Sequence, residues 1–233
     1  ETNGRRDGYL FKVDARSGEV IWRSAPFFEQ VHSSPTISSD GQLAFVGDNR
    51  GNYHGISIES GKTIWTTKLG RPIKGTAAFY KGLLLVSSWD KFFWALHSEN
   101  GSLAWKLPLK GISQSSPLVI GEFAVIASHN PGFLYGINLE KHIKAWEKPI
   151  AEPRMISSAV AVKISGQKET QALAFCGDNS LCVVSPREGQ IKHSIKIPGI
   201  VSGIPAVWGG SVFVAIDGGS LVKLGTRSLK SVP

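Results

Sequence analysis

A chain of 233 residues that is 42% hydrophobic and 19% charged is globular, because disordered chains carry fewer apolar and more charged residues. Its formal net charge of +8 comes from basic residues that are scattered without a run of five or six, so we expect no nucleic-acid partner. No apolar stretch reaches the length of a membrane span, and we expect no transmembrane segment.

The cellular compartment stays open on sequence alone. The chain has no signal peptide, but it begins at Glu1 without a methionine, so any targeting segment would be missing. We expect a cytoplasmic location, with a periplasmic or secreted location as the alternative. Two cysteines, Cys176 and Cys182, are too few for a disulfide framework. They flank a turn and could face each other across a hairpin, but we expect two small buried apolar side chains.

The first predicted element, "GYLFKVDARSGEVIW" at residues 8–22, recurs along the chain with a period of about 40 residues. The copies end on Trp22, Trp65, Trp105 and Trp146, at spacings of 43, 40 and 41 residues, and a fifth copy has His193 instead. A turn precedes each of these positions and contains Gly18, Gly61, Gly101, His142 or Gly189. We interpret these tryptophans and glycines as structural residues, since glycine suits a turn with positive φ.

A second motif alternates with the first. It reads "SSPTI" at Ser33, "GTAAF" at Gly75, "SSPLV" at Ser115, "SSAVA" at Ser157 and "GIPAV" at Gly203. An apolar run and a turn follow each copy, so every repeat holds four short β-like segments. We label them strand A (the "SSPTI"-type motif), strand B (the apolar run before the turn), strand C (the "YLFKVD"-type run after it) and strand D (the run that ends on the tryptophan). No segment has a sustained 3.6-residue period, and we therefore predict essentially no helix.

Four strands in about 41 residues are typical of a β-propeller blade. Stacked blades bury both faces of each sheet, which one isolated sheet cannot do. The sequence thus predicts an all-β fold of four-stranded antiparallel blades, as a single domain over residues 1–233. Strands C and D at 8–24 open the chain, and blades start near residues 33, 75, 115, 157 and 203.

These repeats resemble those of the pyrroloquinoline-quinone-like (PQQ-like) propellers, which are built on the motif Ala-x-Asp-x-x-Thr-Gly-x-x-x-Trp. The resemblance implies the propeller fold and little about function, because the family includes quinone-dependent dehydrogenases, an outer-membrane assembly lipoprotein, sensor domains and the C-terminal propeller of the β-alanine-activating enzyme. The order of the last blades is most similar to that enzyme's propeller. Family members usually have six to eight blades, so five or six visible repeats suggest a fragment of a larger ring. A small closed ring with one surplus strand is the alternative.

No catalytic constellation is evident. The six histidines fall in different repeats without metal-ligand spacing, and no nucleophile or phosphate-binding motif is present. We therefore expect no cofactor, no metal and no enzymatic activity in this chain. The favoured function is a scaffold that binds a protein, a peptide or another ligand. An accessory propeller of a multidomain acyl-activating enzyme is the first alternative, and a quinone-dependent oxidoreductase is the second.

Because strands alternate in direction, the D–A and B–C connections of every blade emerge at the same end. Loops on a rigid scaffold are the usual place for binding. The candidate partner-binding residues at this end are Arg50, Trp89, Lys91, His129 and Arg154. Tryptophan and arginine are favoured in binding hot spots, and an aromatic at position 89 is not required by the repeat. The competing interpretation is that Trp89 folds down over its own blade.

Overall fold

The computed structural model confirms an all-β chain, since its described residues form strands, turns and irregular segments without a helix. It describes residues 7–27, 29–151, 157–164, 168–177, 179–201 and 203–225. Two compact units divide the chain, at residues 1–108 and 109–233. That the whole chain is one domain stays a prediction.

The first unit contains a two-stranded sheet and two four-stranded sheets. Its strands are β1 (Phe11–Val13), β2 (Val20–Arg23), β3 (Thr36–Ile37), β4 (Leu43–Gly47), β5 (Asn52–Ser57), β6 (Thr63–Lys68), β7 (Ala78–Tyr80), β8 (Leu83–Ser87), β9 (Phe92–His97) and β10 (Leu103–Pro108). Strands β1 and β2 pair with each other, and β3–β6 and β7–β10 are antiparallel sheets in which neighbours in sequence are neighbours in space.

The second unit contains two four-stranded sheets and a three-stranded sheet. Its strands are β11 (Leu118–Ile120), β12 (Phe123–Ser128), β13 (Phe133–Asn138), β14 (Ile143–Pro149), β15 (Val160–Val162), β16 (Gln171–Phe175), β17 (Ser180–Val184), β18 (Ile191–Lys196), β19 (Ala206–Trp208), β20 (Ser211–Ile216) and β21 (Ser220–Gly225). Each sheet again follows chain order, which is the arrangement of a propeller blade.

The A strands are shorter than their sequence motifs. The "SSPTI" motif starts at Ser33, but strand β3 starts at Thr36, directly after Pro35, which has no N–H to give to the ladder. The buried Ser33 hydroxyl takes over this role: it donates to the Gly47 carbonyl at 3.0 Å and accepts from the Gly47 N–H at 2.9 Å. The side chain thus continues the A–B pairing where the backbone cannot.

The core of each sheet lies in its B and C strands. Strands β4, β5, β8 and β9 are buried along nearly their whole length, whereas the D strands β6 and β10 alternate between exposed and half-buried positions. Burial on both faces explains why the B strands β4 and β8 are mostly continuous apolar runs. One apolar cluster joins the two four-stranded sheets of the first unit through side chains such as Phe45, Ile73 and Leu84.

Trp65 on β6 fills the space between its own sheet and the next one. A Cβ atom at Gly55, the register partner of Trp65, would lie 2.4 Å from the indole ring. A Cβ atom at Gly101, in the C–D turn of the next sheet, would also lie 2.4 Å from the ring. The indole N–H donates a hydrogen bond of 3.1 Å to the Ser98 carbonyl in that same turn. Two glycines and one carbonyl therefore fix the position of the ring.

The hydrogen bond from a strand-D tryptophan to a carbonyl of the next C–D turn occurs in both units. The indole N–H of Trp22 donates to the Ile58 carbonyl at 2.9 Å, and that of Trp146 donates to the Pro186 carbonyl at 2.8 Å. Trp105 packs on Phe93 with ring centroids 5.8 Å apart. At the corresponding place on β18, His193 is half-buried.

The C–D turns share a left-handed residue. The φ angles are 77° at Gly18, 70° at Gly61, 70° at Gly101, 55° at His142 and 68° at Gly189. A Cβ atom at Gly61 or Gly189 would meet Trp22 or Trp146 at 2.8 Å and 2.5 Å, whereas a Cβ atom at Gly18 would have no neighbour within 4 Å. Glycine at most of these turns thus meets two requirements at once, backbone conformation and space.

We expect Gly101→Ala to lower the free energy of unfolding by about 2–4 kcal/mol, because it adds overpacking against Trp65 to the cost of a left-handed φ. The matched control is Gly41→Ala. Gly41 has a φ of 72° but no atom within 4 Å of its Cβ position, so we expect a loss of only about 1 kcal/mol. Urea denaturation of both variants measures the difference. An equal loss in the two variants would contradict the packing role of Gly101.

Candidate functional site

The loop end of the first unit consists of the B–C turns at 48–51 and 88–91 and the D–A connection at 69–77. The connection is held between the two turns by backbone hydrogen bonds. On one side, the Leu69 N–H donates to Gly51 at 2.7 Å and the Ile73 N–H donates to Asp48 at 3.1 Å. On the other side, the Trp89 N–H donates to the Pro72 carbonyl at 3.1 Å. The three segments therefore form one continuous, hydrogen-bonded surface.

Bonds of this kind also occur at the other turns. The N–H groups of Asn49, His129 and Asp217 donate to the D–A connections before them, at 2.8–3.0 Å, as Trp89 does. The structural counterpart of Trp89 in the preceding blade is therefore Asn49. The same backbone hydrogen bond recurs in four of the described turns, although the side chains of these turns differ and the hairpin after β12 has one residue more than the others between equivalent register positions.

Cationic side chains concentrate at this loop end. Arg50, Lys68, Arg71 and Lys91 are exposed, and Lys74 is half-buried. Lys68, which sequence reasoning missed, reaches the first turn, where its ammonium group donates to the Arg50 carbonyl. The close approach of the D–A connection to Gly51 brings Arg71 to the same turn. The structure thus gathers Arg50 and Lys91 with three further cations.

The acidic residues of the same two turns point inward. The Asp48 side chain is fully buried and lies 3.2 Å from His54 Nε2. Asp90 accepts a hydrogen bond of 3.0 Å from the Trp94 indole N–H and one of 3.1 Å from the Phe92 N–H. Of the nearby acids, Glu29 lies 3.7 Å from the exposed Arg50, and Asp90 interacts electrostatically with the exposed Lys106. The exposed charge of the turns is therefore positive.

Trp89 is half-buried at the centre of the loop end, and its indole nitrogen has essentially no solvent exposure. The ammonium group of Lys74 lies 4.3 Å from the ring centroid, a cation–π contact. The ring is therefore part of the surface and not a protruding anchor. That Trp89 contacts a partner stays a prediction.

The other two predicted site residues belong by sequence to the second unit, residues 109–233. His129 belongs to the second unit, where its backbone N–H donates to the Ile112 carbonyl at 2.9 Å. Arg154 lies outside the described residues. A face that includes all five predicted residues stays a prediction.

Four of the five described B–C hairpins also carry a cross-strand contact, which we call the hairpin clasp, and apart from the cysteine pair the sequence did not reveal these contacts. In the first unit the clasps are Asp48–His54 and Asp90–Trp94. In the second unit they are Ser128–Tyr135, at 3.2 Å between the hydroxyl oxygens, and Cys176–Cys182. The C-strand members share one register position, opposite Val46, Val86, Ile126 and Ala174. The residue at this register position therefore forms a different kind of bond in each of the four hairpins.

The Cys176–Cys182 clasp is a disulfide, with Cα atoms 5.8 Å apart. The expectation of two separate buried thiols is therefore wrong, and the alternative of cysteines facing each other across the hairpin is correct. The spacing of six residues brings the ends of β16 and β17 together on either side of a tight turn. Such Cα distances fall within the range that a disulfide spans.

Metal-binding geometry is lacking in the part of the chain that the structure describes, where no group of three or more His, Cys, Asp or Glu side chains could hold an ion. Among those same residues, no helix is long and apolar enough to cross a membrane.

Comparison with known proteins places these features in a family. A profile of the family described as "Outer membrane protein assembly factor BamB" matches residues 6–188. The BamB protein of Burkholderia pseudomallei is 25% identical over 182 residues, which are 73% of this chain and 47% of that protein. A lanthanide-dependent methanol dehydrogenase of Methylacidiphilum fumariolicum is 33% identical over 75 residues, which are 32% of this chain and 12% of the enzyme.

The fold has a counterpart among solved structures. The crystal structure of BamB from Moraxella catarrhalis superposes with a TM-score of 0.76 at 13% identity, over 97% of this chain and 66% of that one. This match confirms the β-propeller fold. The chain spans less than half the length of the Burkholderia pseudomallei relative.

The two acidic clasps have opposite pH dependence. Burial opposes ionisation of Asp48, but hydrogen bonds from His54 and Asn52 outweigh it and hold the pKa of Asp48 below the usual 3.8. Burial raises the pKa of Asp90 above that value, despite the bonds from Trp94 and Phe92. Asp48 therefore stabilises the folded state above about pH 4 and loses this effect in acid, whereas ionised Asp90 costs stability that protonation restores.

We expect the variants Asp48→Asn and Asp90→Asn to reveal these opposite signs in urea denaturation between about pH 3 and pH 7. The stability difference between the wild type and Asp48→Asn should grow as the pH rises. For Asp90→Asn, the wild type should lose stability relative to the variant as the pH rises. A common direction for both variants would contradict the assignment.

Proposed function

This chain belongs to the BamB family of PQQ-like repeat β-propellers, and from that premise we propose that it is a non-enzymatic scaffold that binds a protein segment. The observation that carries the proposal is the loop end of the first unit, where exposed cations surround Trp89 on a hydrogen-bonded framework. Rigid loops lose little conformational freedom on binding, and arginine and tryptophan are favoured in protein interfaces.

The polar networks of the hairpins support a structural role over a catalytic one. Asp48, His54 and Thr66 form a carboxylate–imidazole–hydroxyl series, with His54 Nδ1 2.9 Å from the Thr66 hydroxyl. Hydrolases use a similar series. Here, however, Asp48 and His54 occupy the clasp position that a disulfide occupies in another blade, which favours a role in holding the hairpin closed.

Two observations favour the periplasmic alternative over a cytoplasmic location. The Cys176–Cys182 disulfide is typical of proteins from oxidising compartments. The names of the relatives also refer to assembly of outer membrane proteins. An accessory propeller in a larger acyl-activating enzyme and a quinone-dependent oxidoreductase stay predictions from the sequence resemblance.

The redox state of the cysteines tests the compartment. We expect protein taken directly from its source, unfolded and alkylated without reductant, to show no alkylated cysteine by mass spectrometry, because the disulfide protects both thiols. A reduced sample, in which both cysteines become alkylated, is the positive control. Two alkylated cysteines in the unreduced sample would contradict an oxidising compartment.

Partner capture tests the scaffold function. We expect the loop-end variant Arg50→Ala/Trp89→Ala/Lys91→Ala to lose proteins that the wild-type chain captures from a source extract after crosslinking, because hot-spot side chains dominate binding. The control variant Glu59→Ala/Lys62→Ala/Glu99→Ala changes three exposed residues in the C–D turns of the same unit. Quantitative mass spectrometry compares the three samples.

The control variant should capture the same proteins as the wild type. Equal capture by all three chains would place binding elsewhere and contradict the proposed site. No protein enriched by the wild type over a chain-free resin would contradict the scaffold function itself.

A further inference from the structure

Building on the proposed function, we infer that the loop end of the first unit binds an acidic protein segment, that is, an extended stretch of chain rich in Asp and Glu. The inference follows from how this unit separates its charges, from the fixed positions of its cations and from the covered ring of Trp89.

The cations lie along the D–A connection and the two turns that hold it. The Lys68 ammonium group donates to the Arg50 carbonyl in the first turn, and the Arg71 backbone packs closely against Gly51 in the same turn. Lys74 covers Trp89 in the second turn, beside Lys91. The cations therefore follow a continuous path across the loop end, which suits an extended anionic chain better than a single point charge.

This positive charge has little compensation from its own turns. Asp48 is fully buried against His54, and the half-buried Asp90 accepts hydrogen bonds from Trp94 and Phe92. Glu29 approaches Arg50 at 3.7 Å, with both side chains about half exposed, so the pair is weak and exchangeable. A carboxylate from a partner could bind these cations without first breaking a buried ion pair.

The opposite end of the same unit has the reverse character. The A–B and C–D turns there expose five acidic residues, Asp14, Glu19, Asp40, Glu59 and Glu99. Three basic residues accompany them, Arg16, Lys62 and Lys81. Charge is therefore segregated between the two ends of one unit, and complementary potential of this kind steers a charged partner to one end.

The backbone beneath the cations is already ordered. The carbonyl of Arg71 accepts a hydrogen bond of 3.1 Å from the Ser88 hydroxyl, and that of Pro72 accepts from the Trp89 N–H. Binding therefore needs to order only the side-chain ends of the cations and not the loop that carries them, which lowers its entropic cost.

The covered tryptophan favours a protein segment over a single-stranded nucleic acid. Proteins that bind single strands combine cations with open aromatic rings on which bases stack. Here the Trp89 ring is half-buried and has the Lys74 ammonium group 4.3 Å from its centroid. Carboxylates need no stacking surface, since charge-assisted hydrogen bonds from lysine and arginine are sufficient.

The test uses a fluorescein-labelled decaglutamate peptide as the probe, with fluorescence anisotropy of the full chain at low ionic strength. The loop-end variant is Lys68→Gln/Arg71→Gln/Lys91→Gln. The matched control is Arg16→Gln/Lys62→Gln/Lys81→Gln, which removes the same three charges from the opposite end. Lys74 is left intact because it packs on Trp89.

We expect the wild type to bind the peptide with an affinity that falls as salt is added. The loop-end variant should bind about tenfold more weakly, whereas the control should change by less than about twofold. Equal weakening in the two variants would show an effect of net charge alone and overturn the inference. Absence of binding to the wild type would overturn it as well.

Two outcomes separate this inference from the proposed function. If partner capture still depends on the loop end but decaglutamate does not bind, the acidic-segment inference fails and the scaffold function stands. If a ten-nucleotide oligothymidine binds more tightly than decaglutamate and displaces it, the assignment to a protein segment is overturned.

Discussion

The contact between a strand-D tryptophan and the glycines around it is the constraint on which the rest of the structure depends. Trp65 can lie flat between two sheets only because Gly55 and Gly101 leave room on either side, and its N–H is satisfied by a carbonyl of the next C–D turn. A four-stranded sheet cannot bury both faces alone. The tryptophan ring between two sheets sets the distance at which neighbouring sheets bury each other's B and C strands.

A fixed framework of this kind leaves the B–C turns as places where chemistry can vary. The backbone bond between a turn and the preceding D–A connection recurs in four blades, while the clasp at one register position changes from an imidazole–carboxylate contact to an indole–carboxylate bond, a hydroxyl pair or a disulfide. Each clasp satisfies or removes polar groups that would otherwise be buried unpaired. Variation at a clasp is therefore tolerated as long as the hairpin stays closed.

The same division between framework and variable side chains explains the loop end. Acidic side chains near the turns bond within their own hairpins, as clasps, and most of the cations are exposed to solvent. The positive surface is thus partly a consequence of how the hairpins are closed. A carboxylate that is bound in a clasp does not neutralise the lysine and arginine side chains near it. Folding and the proposed binding therefore use different side chains of the same turns.

The repeat spacing by itself determined the all-β fold, the order of strands within each blade and the tryptophan and glycine positions, because these depend on local turns and on contacts that recur every 40 residues or so. Tertiary structure alone decided the clasps, the disulfide, the contribution of Lys68 and the inward direction of Asp48 and Asp90. These features depend on where side chains point across a hairpin or between adjacent turns. Sequence spacing fixes which residues come near each other, but packing and burial decide which of them form a bond.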